Sequence, residues 1–211
     1  MNNPWGKFTP PKYIADVDRD ILANNPHDLK MGLYPEPYIG NPNTSSVVFL
    51  VLNPGFDEND VTLNMNDPYF IKMSGKNLSH KSDFYYLDER LNYTGGYKWW
   101  NLILGPLIKE FSHELIRHKV CCIEYFPYHS VTYKNSRNVL PSQKYSFELV
   151  KQAIKDNKTI VVMRAEKLWL KAVPELEGYK YITLKNPRRP FISSGNMTEN
   201  DYTRIKGAIK Y

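Results

Sequence analysis

Four short runs rich in β-branched and aromatic residues, separated by stretches of helical periodicity, constrain this chain more than any other feature. They lie at residues 47–52, 120–125, 159–163 and 179–184. Runs of this length and composition read as buried strands. Between them, Trp100, Ile103, Leu104, Leu107 and Phe111 recur at three- and four-residue steps, and so do Phe147, Val150 and Ile154 after a cap at Ser142. Such spacing puts them on one side of a helix. A shorter helix is expected over residues 165–172, ended by Pro174. Thr198, with Asp201 three residues on, caps a last helix carrying Tyr202, Ile205 and Ile209 inward. Near the start, Ile14, Val17, Ile21 and Leu22 predict an amphipathic helix stopped by Asn24-Asn25-Pro26, because the residue before a proline is pushed out of the α region.

Strands alternating with helices predict an α/β fold, a three-layer sandwich around a short, mainly parallel sheet with right-handed crossovers. Ligands of such sheets bind beyond the carboxyl ends of the strands. With 211 residues the expectation is one domain over 1–211, with residues 1–44 as an N-terminal extension and 57–96 as a polar, partly structured insertion. Residues 26–46, rich in Pro, Asn and Gly, read as irregular chain on the surface.

Composition removes several classes. No run reaches the roughly 18 apolar residues that span a bilayer, and Met1-Asn2-Asn3-Pro4-Trp5 does not open a secretory signal, so no membrane partner and a cytoplasmic location are expected. The two cysteines, Cys121 and Cys122, are adjacent in a strand and point to opposite faces, which rules out a disulfide framework or a four-cysteine metal site. The net charge is +6, and residues 178–211 hold seven basic side chains (Lys180, Lys185, Arg188, Arg189, Arg204, Lys206, Lys210) against Glu199 and Asp201, five of the six net charges. That concentration suits nucleic acid, and it equally suits a solvated face.

Two strand ends carry the candidate chemistry. The first run ends in Leu52-Asn53-Pro54-Gly55-Phe56, and the fourth ends in Leu184-Lys185-Asn186-Pro187-Arg188-Arg189-Pro190-Phe191-Ile192. Each alone is an ordinary turn or connection. Together they put an asparagine immediately before a proline twice, at the edge where an open α/β sheet keeps its site. In this arrangement, with Gly95-Gly96-Tyr97-Lys98-Trp99-Trp100 between, residues 45–211 resemble the mismatch-specific uracil/thymine-DNA glycosylase branch of the uracil-DNA glycosylase superfamily.

The resemblance implies a DNA glycosylase that hydrolyses the N-glycosidic bond of a modified or mismatched base in base-excision repair, without metal or cofactor. Breaking that bond develops positive charge on the sugar and negative charge on the departing base, so a placed water and donors to the base are needed. By carry-over, Asn53 holds the water through its side-chain carbonyl and Asn186 donates to the leaving base. Phe56 stacks on the extruded base, with Tyr69, Phe70 and Tyr97 as alternatives, and Phe191 or Ile192 fills the gap left in the duplex. Arg188 and Arg189 grip phosphates, assisted by the N-terminus of the last helix. Departures from the pattern temper this. The aspartate and histidine of the fastest branch are missing, and asparagine cannot accept a proton, so general-base help of about 10²–10⁴-fold is unavailable from Asn53 and activity should be slow or absent. Arg188-Arg189 also stands where small residues are usual.

Other candidates follow the second and third runs. Glu124 as a base reader would accept from an exocyclic amino group; the alternative is a glutamate satisfied by backbone or a lysine. His129 is either a proton-transfer group or an ordinary hydrogen-bonded histidine. Arg164 meets a phosphate or pairs with Glu166. Trp99 and Trp100 are expected in the core. No phosphate loop, dinucleotide fingerprint, zinc-protease or nucleophile-elbow motif is present. A non-catalytic nucleic-acid or nucleotide-binding module is the competing function, and an interaction protein using residues 57–96 is a third. DNA, single-stranded or mismatched, is the expected partner.

Overall fold

A computed structural model describes residues 2–6, 8, 12–23, 29–134 and 139–211. Its strands are β1 Tyr38–Ile39, β2 Val47–Val51, β3 Val120–Glu124, β4 Thr159–Val162 and β5 Ile182–Thr183. The α-helices are α1 Arg19–Leu22, α2 Glu58–Asn66, α3 Pro68–Leu78, α4 Gly95–Ile103, α5 Gly105–Phe111, α6 His113–Lys119, α7 Gln143–Lys155, α8 Glu166–Ala172 and α9 Glu199–Lys210. The sheet order is β1-β3-β2-β4-β5, with β1 antiparallel to β3 and every other pair parallel. All four apolar runs thus join one sheet, as expected.

Side chains of period two send alternate residues to two separate cores. Val47, Phe49 and Val51 of β2, with Cys122 and Val161, meet Trp100, Ile103, Leu107, Ile116, Ile205 and Ile209 from α4, α5, α6 and α9. Val48 and Leu50, with Cys121, Ile123 and Ile160, meet Phe147, Val150 and Trp169 from α7 and α8. Five successive buried residues in β2 therefore reflect cover on both faces, the three-layer expectation. Cys121 and Cys122 are buried, unpaired and on opposite faces.

The insertion is helical. Asp57 and Asp60 form a capping box at the start of α2, and Asp67 caps α3 with Pro68 in its first turn. Several expectations need correction. The stripe from Trp100 to Phe111 is two helices, since Leu104 closes α4 and Pro106, which has no N–H to continue the ladder, sits in the first turn of α5. Ser142 precedes α7 without capping it; its backbone N–H donates to Asp18 instead. The N-terminal amphipathic helix shrinks to a 3₁₀ turn at Asp16–Asp18 and one turn of α1, with Ile14 and Leu22 buried but Val17 and Ile21 exposed. The expected stop at Asn24-Asn25-Pro26 lies outside the described residues. The fourth run yields only Ile182–Thr183, because Tyr181 donates its N–H back to Tyr179.

Within residues 26–46, read as irregular, β1 adds the antiparallel edge. Gly40 ends it at φ +87°, and a Cβ there would lie 2.8 Å from the Val120 carbonyl oxygen. Gly40→Ala combines a left-handed backbone with that clash and is expected to destabilise the protein by about 2 kcal/mol. Urea unfolding measures this; an unchanged midpoint would show that β1 does not depend on the close approach.

Candidate functional site

The chain runs from β2 to β3 on one side and then crosses to β4 on the other, so the connections diverge on either side of β2. At such a switch point the loops leave a crevice beyond the carboxyl ends of the strands. A cleft of about 610 Å³ opens there, lined by Asn53 after β2, Glu124 at the end of β3 and Arg164 after β4. Ladder bonds persist past the strands: the Phe126 N–H donates to the Leu52 carbonyl and the Met163 N–H to the Leu50 carbonyl, which keeps the three loop entrances in register. Ala165, next to Arg164, is left-handed at φ +57°, a costly conformation for a residue with a Cβ.

The walls come from distant parts of the chain: Glu36 before β1, Phe56 and Asp60 around the start of α2, Tyr86, Gly96 and Trp99 at and before α4, and His129 and Ser130 after β3. Of the aromatic stacking candidates only Phe56 lines the cleft, with Lys30 over its ring at 4.6 Å. Phe70 and Tyr97 are buried elsewhere and Tyr69 donates to Asp88, which corrects those alternatives. Trp100 is buried in the core and half-buried Trp99 packs against it, as expected, while both also line the cleft.

A buried polar network underlies this wall. Glu36 Oε1 accepts from the Tyr85 hydroxyl at 3.0 Å and the Tyr86 hydroxyl at 2.5 Å, and His129 Nε2 lies 3.9 Å away. Gly96 makes room for it, because a Cβ there would sit 2.3 Å from the Tyr86 ring. Burial pushes the Glu36 carboxyl above its ordinary range against the opposing pull of His129 and the two tyrosines. Burial also keeps both phenols protonated as donors. His129 Nδ1 is 2.6 Å from the Gly55 carbonyl and Nε2 is 3.1 Å from the Tyr34 carbonyl. The ring therefore lies between two backbone carbonyls, with Glu36 beside it. His129 is thus a strut between two loops, the ordinary hydrogen-bonded alternative rather than a free proton shuttle.

Asn53 Nδ2 donates to the Pro54 carbonyl at 2.8 Å and to Ser130 Oγ at 3.0 Å. Its Oδ1 accepts no bond from the described protein groups and belongs to the cleft lining. Glu124 is buried at the cleft floor, 5% exposed, and its Oε2 has no hydrogen-bond partner among the described residues. Burial first, and Glu36 second, push its carboxyl well above the usual carboxylate range, while Arg164 acts in the opposite sense. Arg164 is itself exposed.

No family model, curated protein or solved structure matches this chain. Its site is therefore described by its own geometry.

Asn186 lies at the same sheet edge as Asn53 but two strands over, roughly 10 Å by strand spacing, and it does not line the cleft. Its Oδ1 accepts from the Arg188 and Arg189 N–H groups at 3.1 and 3.3 Å, so it turns the loop and leaves its amide nitrogen exposed. Buried Asn196, which sequence reasoning missed, staples that loop by donating to the Arg189 and Phe191 carbonyls and accepting from the Asn186 N–H. Arg188 and Arg189 are exposed. Ile192 is wholly buried in the core, which corrects its expected role as a wedge; half-buried Phe191 is the apolar side chain left near the surface. Thr198 caps α9 by accepting from the Asp201 N–H, as expected. Among the described residues no three His, Cys, Asp or Glu side chains converge as metal ligands, and no helix is long and apolar enough to cross a membrane.

Proposed function

We propose that this chain is a uracil-DNA glycosylase-like protein that takes an extruded, modified or mismatched base into the cleft and slowly hydrolyses its N-glycosidic bond, as a cytoplasmic base-excision activity. The observation that carries the reading is Asn53. Its amide nitrogen is engaged by Pro54 and Ser130, which leaves the carbonyl oxygen of this cleft-lining residue as an acceptor without a donor among the described residues. An acceptor there can hold a water for attack on the sugar carbon while the base departs with the bonding electrons. Phe56 and Trp99 supply flat apolar walls of the kind that hold flipped bases. No ionised general base is needed for a slow reaction, and none is proposed.

A non-catalytic binding module of the same fold is the second reading, favoured by the position of Asn186 off the cleft lining. Incubation with duplex and single-stranded oligonucleotides carrying altered bases, followed by alkali cleavage at abasic sites, separates the two. Release of any base by wild-type protein supports hydrolysis; none from the whole panel leaves the binding module.

In both readings the loop at Arg188 and Arg189 meets phosphates. Replacing both by alanine is expected to weaken DNA binding for all sequences and to flatten the dependence of log affinity on log salt by about two units. An unchanged salt slope would mean that these two side chains form only a solvated face.

A further inference from the structure

We infer that the base taken by this cleft is an amino-substituted, six-membered nitrogen heterocycle of the cytosine or adenine kind, read at its ring-nitrogen and amino edge by Glu124. The inference rests on the base-binding reading above and names the substrate class of that site. Its starting point is a carboxyl in an unusual position: Glu124 ends β3, is 5% exposed, lines the cleft, and has one oxygen buried without any partner among the described residues. Buried polar groups are normally satisfied inside the fold, and this one belongs to a side chain that lines a cavity, where an entering group can supply the missing partner. Phe56 and Trp99 line the same cleft, so a flat ring stacked there would present its edge to this floor.

The groups that face Glu124 settle what it offers. Glu36, from the chain before β1, repels a second negative charge; exposed Arg164, after β4, acts the other way and is outweighed by burial. Burial and Glu36 both push the carboxyl toward its protonated form, which presents one O–H donor beside one C=O acceptor. A ring imine nitrogen flanked by an amino group is the matching pair, since the acid proton goes to the nitrogen and the amino hydrogen to the carbonyl oxygen. The imide edge of uracil also meets such an acid at two points, its N–H donating to the carboxyl C=O and a ring carbonyl accepting the acid proton, but that carbonyl oxygen is a much weaker base than a ring nitrogen. Sharing the proton with a basic nitrogen adds charge-assisted strength that the imide cannot supply.

The test uses two single-stranded oligonucleotides that are identical except for a central cytosine or uracil, with the full chain and fluorescence anisotropy as readout. Wild-type protein is expected to bind the cytosine strand about tenfold more tightly, about the difference between a charge-assisted and a neutral hydrogen bond. Glu124→Gln keeps a donor and an acceptor in place without the acidic proton and should retain part of the preference. Glu124→Leu should erase it, with both strands held equally through their phosphates. Removing a buried, unpartnered carboxyl does not threaten the fold, and a melting temperature no lower than wild type checks this. Equal binding by wild-type protein, tighter binding of uracil, or a preference that survives Glu124→Leu overturns the inference. Alkali cleavage of the same strands decides hydrolysis separately: a cytosine preference without base release sinks only hydrolysis, release from uracil without that preference sinks only the inference, and failure to bind either strand sinks both.

Discussion

Replacing Glu36 by alanine is expected to cost about 3 kcal/mol of stability, the largest single-residue effect anticipated around the cleft. Three groups lose a neighbour at once: the Tyr85 and Tyr86 hydroxyls, both donating to Glu36 Oε1, and the His129 ring 3.9 Å from that oxygen. All are buried, so water cannot replace the lost acceptor without opening the wall. The desolvation of Glu36 itself is recovered in the variant, so the expected loss is about that of leaving two buried hydroxyls without an acceptor. Glu36→Gln keeps an acceptor for the tyrosines but not the charge, and should fall between wild type and alanine. Urea unfolding of the three proteins measures the order. An alanine variant as stable as wild type would show that the Tyr85, Tyr86 and His129 positions are held by packing alone.

Asn53→Ala is expected to lower the rate of base release about 100-fold with little change in DNA affinity. The effect falls on the rate because a water held by Asn53 Oδ1 matters most as it attacks, so the lost interaction is mainly one of the transition state. Misplacing a reacting group by about 1 Å is enough for a loss of this size. The fold should survive, since Asn53 is a loop residue whose side chain, among the described residues, bonds only to Pro54 and Ser130. Asn186→Ala should behave differently. Its Oδ1 shapes the turn that carries Arg188 and Arg189, so its loss should weaken DNA binding as well. Single-turnover rates and anisotropy on one substrate separate the two variants. If Asn53→Ala releases base as fast as wild type, the attacking water is held elsewhere and the proposed role of Asn53 falls.

Much of the architecture was legible because burial on two faces leaves a simple mark: uninterrupted apolar runs such as residues 47–52 have no other stable place than the middle of a covered sheet. The α9 cap was legible for a local reason, being set by two residues three apart in the chain. β1 was not, since two apolar residues in a stretch of prolines and asparagines carry no periodicity, and its pairing with β3 joins chain about eighty residues apart. Glu36 lies between two prolines without any motif, and its role comes from tyrosines and a histidine brought from elsewhere. Phe191 and Ile192 are neighbours of similar character, yet one is half-buried and the other sealed in the core.

By itself, then, the sequence determined the α/β class, the order of the principal elements and the sheet edge at which Asn53, Glu124, Arg164 and Asn186 emerge, because hydrophobic period and turn chemistry act over a few residues. The tertiary structure alone decided that Asn53, Glu124 and Arg164 share a cleft while Asn186 stands apart, that His129 is a strut, and that one Glu124 oxygen is buried with no hydrogen-bond partner among the described residues. Those outcomes depend on strand order and on which distant side chains fill the space beyond the strand ends, and no local pattern encodes either.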